Sequence, residues 1–237
     1  HAIHVVATHD VITSRGQTLD GPVLDITFAS TLENTIKVTI EHFRGGMEKT
    51  PEFQLYEDDG FFPVTVETDE YAELISGKAR VRINKIKGWS IEYYYGDKLL
   101  TKEGWRTTSY ITEQPYHTQE RMLAQQNFNR FYADDQDPRP SYMREMLNLS
   151  VGESVYGFGE KFTTFVKNGQ SVQIWNGDGG TCSEYSYKSI PFYVSNRGYG
   201  VFVNHSEKVE FEVASDTVSK VSIVVPGEKL QYFIIGG

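Results

Sequence analysis

One cysteine, Cys182, in 237 residues leaves no disulfide framework and no cysteine-based metal site. That usage favours a reducing, cytoplasmic setting. No apolar run approaches the roughly 18 residues needed to cross a bilayer, so no membrane partner is expected. Basic residues are in deficit, 23 Lys and Arg against 32 Asp and Glu, for a net charge of −9. Nothing in that balance would neutralise phosphates, which argues against nucleic acid. There is no P-loop, no His-Glu-x-x-His and no Gly-x-Ser-x-Gly. Gly157-Phe158-Gly159 lacks the third glycine of a dinucleotide loop, and no βαβ unit surrounds it. No cofactor and no metal are therefore expected. Asn148-Leu149-Ser150 and Asn204-His205-Ser206 fit the glycosylation sequon but read as chance matches within strands. The chain opens at His1 without a signal-like segment and closes on Ile235-Gly236-Gly237, so both ends read as cuts in a longer polypeptide.

What is abundant is aromatic and β-branched. Tyr and Phe number 15 and 14, a composition that favours strands and supplies flat apolar faces. Short alternating runs recur from Val23-Leu24-Asp25-Ile26-Thr27-Phe28 and Thr35 to Ile40 onward, broken by Asp20-Gly21-Pro22 and Gly45-Gly46. Val64 to Val66, Tyr71 to Ile75, Ala79 to Ile83 and Ser90 to Tyr95 follow at hairpin spacing. In Arg80 to Ile83 charge falls on one face and aliphatics on the other, as in a half-buried strand. Strand patterns resume at Met146 to Leu149 and continue through Pro191 to Val194, Gly200 to Val203, Val209 to Val213, Val221 to Val225 and Leu230 to Ile235. Only Gln119 to Phe131 reads as a short helix, and Asp134 to Pro138 as an exposed loop rather than a calcium site. Asp58-Asp59-Gly60 reads as a turn. Strands without strand–helix alternation predict an all-β fold, one domain over residues 1–237 built as a large antiparallel β-sandwich of two sheets.

The candidate site is Ser171 to Thr181. A strand carrying Val172 and Ile174 ends on Trp175 and runs into Asn176-Gly177-Asp178-Gly179-Gly180. The glycines allow positive φ, and the loop can gather a ring, an amide and a carboxylate at one tip. Such a tip suits a sugar, which offers C–H faces to Trp175 and hydroxyls to Asn176 and Asp178. Asn-Gly and Asp-Gly are equally the commonest hairpin turns. His42, His117 and His205 could gather in a groove, though lone strand-end histidines are more often structural. Cys182 follows the loop and reads either as a cleft residue or as a small buried side chain. Glycoside hydrolysis needs two carboxylates at a set separation, and no pair is singled out by spacing. The residues alone reach a β-sandwich with a sugar-facing loop.

Val155-Tyr156-Gly157-Phe158-Gly159-Glu160-Lys161-Phe162 carries a resemblance further. With Trp175-Asn176-Gly177-Asp178, Tyr187 to Tyr193 and Asn196 to Asn204 in fixed order, the chain resembles glycoside hydrolase family 31, its bacterial α-xylosidases above all. Gly104-Trp105-Arg106 and Val151-Gly152-Glu153 fit the same pattern. The likeness is dense from about Leu147 to Gly237 and thin before Trp89. It implies the galactose mutarotase-like N-terminal β-sandwich of a retaining α-glycosidase, with a (β/α)8 barrel downstream that holds both catalytic aspartates. No catalytic residue is therefore expected in this chain, which alone should be inactive. The resemblance implies that the loop reaches the barrel's active-site mouth, where Asp178 contacts sugar hydroxyls and Trp175 and Asn176 support it. The expected partners are a carbohydrate substrate and the chain's own downstream barrel. A surface meant for that barrel also makes a homo-oligomer of the isolated domain an expectation. Two other functions fit less well: a free-standing carbohydrate-binding module, and a mutarotase-type epimerase using His and Glu as acid and base.

Overall fold

The computed structural model describes residues 1–19, 21–44, 53–58, 60–86, 88–112, 140–177 and 185–237. The expected Gln119 to Phe131 helix and the Asp134 to Pro138 loop lie outside these residues. Within them the regular elements are strands, apart from a single 3₁₀ turn at Gly16–Leu19. They begin with β1 (Ile3–Thr8), β2 (Val23–Ala29), β3 (Thr35–Glu41), β4 (Val64–Glu67), β5 (Tyr71–Ser76) and β6 (Ala79–Asn84). β7 (Ile91–Tyr95), β8 (Lys98–Glu103), β9 (Ser109–Thr112), β10 (Ser141–Asn148), β11 (Val155–Gly159) and β12 (Gln170–Ile174) follow. The chain ends in β13 (Ser189–Ser195), β14 (Tyr199–Val203), β15 (Val209–Val213), β16 (Lys220–Pro226) and β17 (Lys229–Gly236).

All described pairings are antiparallel. A seven-stranded sheet runs β1-β2-β3-β17-β14-β13-β11. One five-stranded sheet runs β12-β15-β16-β10-β9 and the other β4-β5-β6-β7-β8. Both smaller sheets approach the large one, through β5, β6 and β7 on one side and β10, β12 and β16 on the other. The sandwich expected from the sequence is present, its second layer divided where β8 meets β10. At that seam Thr101 Oγ1 donates to the Asn148 carbonyl at 2.8 Å.

Period-two patterning explains why these segments are strands and which way they face. In β3, Ile36, Val38 and Ile40 point inward, and register aligns them with apolar partners on β17. Phe28, Val38 and Tyr232 form one inward row across three strands, and Ile26, Ile40 and Leu230 form the next. Phe158, Tyr193 and Phe211 interlock between the layers, with ring centroids 4.7–6.1 Å apart. On β6 the outward Arg80 and Arg82 lie over the rings of Tyr94 and Tyr71, at 4.5 and 4.3 Å.

Candidate functional site

Two connections cross between the layers at one end of the sandwich. Residues 175–188 lead from the end of β12 to the start of β13, and residues 204–208 from the end of β14 to the start of β15. The ends of β3 and β9 and the starts of β10 and β17 lie at the same end, as the strand registers require. The described ends of the first connection, residues 175–177 and 185–188, therefore lie on this rim.

Its base is tied down by the Val155 to Phe162 motif. Gly157 (φ 117°) and Gly159 (φ 81°) flank a register shift between β11 and β13. A Cβ at Gly159 would sit 1.9 Å from the Lys188 carbonyl oxygen, and one at Gly157 2.8 Å from that of Phe192. Glycine is what allows β11 to close on β13 here. Pro191, with no N–H to give, stands in β13 between the partners of those two glycines. Between the glycines, Phe158 takes a positive φ and is fully buried. The chain then delivers Lys161, whose Nζ donates to the Gln173 carbonyl at 2.8 Å and to Ser189 Oγ at 2.7 Å. Ser189 completes the tie: its N–H donates to Asn176 Oδ1 at 2.8 Å and its hydroxyl to the Trp175 carbonyl at 3.3 Å. One ammonium and one serine therefore fix the backbone on either side of the loop.

Trp175 is half exposed beyond this tie. It lines a groove of about 440 Å³ with Phe53, Ile190, Phe202, His205 and Glu207. The Asn176 side-chain oxygen is turned back to the Ser189 N–H. Asp178 and Cys182, both singled out in the sequence, lie outside the described residues. Phe53 and Glu207 had no signal in the sequence; both reach the groove from connections whose positions only the strand registers set.

Of the three histidines considered, His42 and His205 are described and have different neighbours. His42 Nδ1 lies 2.6 Å from Glu228 Oε2, and its ring stacks on Tyr110 at 3.7 Å. Glu228 Oε1 accepts from Tyr110 at 2.8 Å and Ser141 at 2.9 Å. Burial alone would raise the Glu228 carboxyl, but hydrogen bonds from His42, Tyr110 and Ser141 outweigh it and hold it below the usual range. This cluster clamps β3 and β17 to β9 and β10. His205 lines the groove instead, and His117 lies outside the described residues.

Two further carboxyls are deeply buried where the sheets meet. Glu103 on β8 accepts from Tyr93 at 2.5 Å and Tyr232 at 2.7 Å. Glu145 on β10 accepts from Thr108 at 2.6 Å and from the Met146 N–H at 2.8 Å. Desolvation pushes Glu103 up to about 7, and with the nearby Glu103 it pushes Glu145 well up too. These groups are sealed in the core, far too enclosed to meet a substrate, and they join β7, β8, β10 and β17.

The structure is an antiparallel β-sandwich with an aromatic-lined groove at one rim, and comparison with known proteins gives its family. Residues 24–212 match the glycosyl hydrolase 31 N-terminal galactose mutarotase-like domain, and the chain belongs to that family. An α-xylosidase from Emericella nidulans is 38% identical over 231 residues, 94% of this chain and 28% of its own length. The α-xylosidase XylQ of Lactiplantibacillus pentosus is 37% identical over 235 residues, 99% of this chain and again 28% of its own length. The chain thus spans little more than a quarter of either curated relative. A family 31 α-xylosidase from a soil metagenome, solved with xylose, aligns over 96% of this chain and 32% of its own with a TM-score of 0.63 at 17% identity. The Flavobacterium johnsoniae family 31 dextranase aligns over 99% of this chain and 26% of its own, with a TM-score of 0.67 at 19% identity. At such identities the two structures speak to fold alone.

Proposed function

We propose that this chain is the N-terminal β-sandwich of a retaining α-glycosidase of the α-xylosidase type, and that it serves a catalytic barrel downstream. The observation that carries this reading is the near end-to-end match to two α-xylosidases at 37–38% identity, each about three times longer or more. The sandwich contributes no catalytic residue. It presents the Trp175 to Asp178 loop to the barrel's active-site mouth, where Asp178 accepts hydrogen bonds from sugar hydroxyls and Trp175 offers an apolar face. The Lys161–Ser189–Asn176 tie supports this role, since a substrate contact gains rate only when it is held in place.

The barrel would cover the outer face of β13, β14 and β17. There Ile190, Val194 and Ile235 are exposed beside Phe192, Phe202 and Phe233, an apolar strip unusual for a free surface. Gly200 lacks a side chain because the Phe192 ring lies across it.

Asp178→Ala in the parent enzyme tests the loop. Loss of a carboxylate that bonds substrate should lower kcat/KM for nitrophenyl α-xyloside by about 10–100-fold. An unchanged kcat/KM would remove Asp178 from the site.

A further inference from the structure

The sequence holds two Asn-Gly pairs, Asn168-Gly169 and Asn176-Gly177. In such a pair the glycine nitrogen can reach the carbonyl carbon of the asparagine side chain, because no Cβ obstructs the approach. The structure sets the two pairs apart. At Asn168 every group the reaction needs is engaged. Its Oδ1 accepts from the Val155 N–H at 2.9 Å, and its Nδ2 donates to the Glu153 carbonyl at 3.0 Å. The nitrogen that would attack is engaged too, since the Gly169 N–H donates to the Val213 carbonyl at 2.6 Å. Reaction there has to break all three bonds, and two of them tie the loop ahead of β12 to the sandwich.

At Asn176 only the oxygen is held. Asn176 is exposed to water, and its Oδ1 accepts from the Ser189 N–H at 2.8 Å. Among the described residues neither its Nδ2 nor the Gly177 N–H has a partner. The one bond that is made favours reaction: the Ser189 N–H draws charge onto the oxygen that turns negative when a nucleophile adds to the carbon. We infer that Asn176 is a site of spontaneous deamidation and that the fold protects Asn168 from the same reaction. The Gly177 nitrogen gives its proton to hydroxide and bonds to Asn176 Cγ; the Cγ–Nδ2 bond breaks, and ammonia leaves with a proton from solvent. One water then opens the succinimide ring at either of its two carbonyls, with no change of oxidation state. One opening leaves aspartate at position 176. The other leaves isoaspartate, which routes the main chain through the former side chain and lengthens it by a methylene. Either product places a new carboxylate two residues before Asp178. What that does to the loop depends on the function proposed above; the chemistry does not.

The test is peptide mapping of the 237-residue chain after incubation in mildly alkaline buffer at body temperature, folded and, in parallel, unfolded in urea. Trypsin releases residues 168–188 as one peptide that carries both pairs. In the folded chain this peptide should gain about 1 Da, and fragmentation should place the gain at Asn176, with Asn168 converting at least about tenfold more slowly. In urea, where the bonds to Val155, Glu153 and Val213 are gone, the two should convert at similar rates. Gly177→Ala should slow conversion at Asn176 by about tenfold or more. That variant keeps the fold, since a Cβ at Gly177 meets nothing nearer than 3.6 Å. Equal conversion of the two pairs in the folded chain, conversion at Asn176 in urea alone, or an unchanged rate in Gly177→Ala would overturn the inference. Each outcome is read by mass, so none bears on the Asp178 experiment.

Discussion

Gly159 shows how little room a single position can leave. Its φ of 81° and the Lys188 carbonyl 1.9 Å from any added Cβ make alanine doubly unfavourable. Gly159→Ala should cost about 2–4 kcal/mol in urea unfolding, through strain and a forced opening of β11 from β13. Gly169→Ala is the matched control: φ is 84° but nothing lies within 4 Å, so only about 1 kcal/mol of strain is expected. Equal losses at the two positions would contradict the close-approach argument. Glu103 makes a different residue-scale prediction. Its folded pKa is raised to about 7, so its stabilising contribution is full below about 4.5 and is lost as pH rises through 7. The wild-type chain should therefore lose stability as pH rises from about 4.5 through 7, with Glu145, raised in the same direction, adding to the slope. Glu103→Gln should lessen that dependence while leaving the share due to Glu145, and a slope unchanged by it would place the titration elsewhere. The glycines of the Val155 to Phe162 motif were legible as a signature, but their reason was not. It depends on Lys188 and Phe192, about 30 residues away in sequence.

At the scale of elements, β15 and β11 meet across the sandwich, and Phe211 is the ring that joins them. It is fully buried, 4.7 Å from Phe158 and edge-on to Tyr193. Phe211→Ala should lower unfolding free energy by about 3–5 kcal/mol through lost contacts and a residual cavity. A loss under about 1 kcal/mol would mean that the layers are held elsewhere. Strands of this kind were readable because alternation and turn residues coincide: Ala79 to Ile83, Val209 to Val213 and Leu230 to Ile235 all sit within strands observed at those positions. β8 was not readable. Lys98-Leu99-Leu100-Thr101-Lys102-Glu103 buries Glu103 and Thr101 on a core face, against every hydropathy rule, because Tyr93, Tyr232 and the Asn148 carbonyl wait to receive them. β10 began five residues earlier than its apolar run suggests, since Ser141 to Glu145 owe their order to β9 and β16. In the candidate site, Trp175 and Asn176 stood out in the sequence through their glycine-rich neighbours, and the structure adds the groove beside the first and the bond to the second. The bond from Ser189 to Asn176, with Lys161 bonded in turn to Ser189, could not be read from sequence, because it spans three separate strands' ends.

At the scale of the whole molecule, the outer face of β13, β14 and β17 carries exposed apolar side chains. The strip formed by Ile190, Val194 and Ile235 with the phenylalanines of β13, β14 and β17 has the character of an interface. Replacing Val194 and Ile235 with glutamate should suppress any self-association of the isolated chain in sedimentation, yet weaken the fit of the parent enzyme and lower its melting temperature. Unchanged behaviour in both would remove this face from domain packing. The central claim, that the chain supports a catalytic centre it does not contain, is tested most directly by nitrophenol release from nitrophenyl α-xyloside and α-glucoside. The 237-residue chain would be compared with the same chain continued through its native downstream sequence. Turnover by the longer protein alone is the predicted result; turnover by the 237 residues themselves would place the active site within this sandwich and contradict the account.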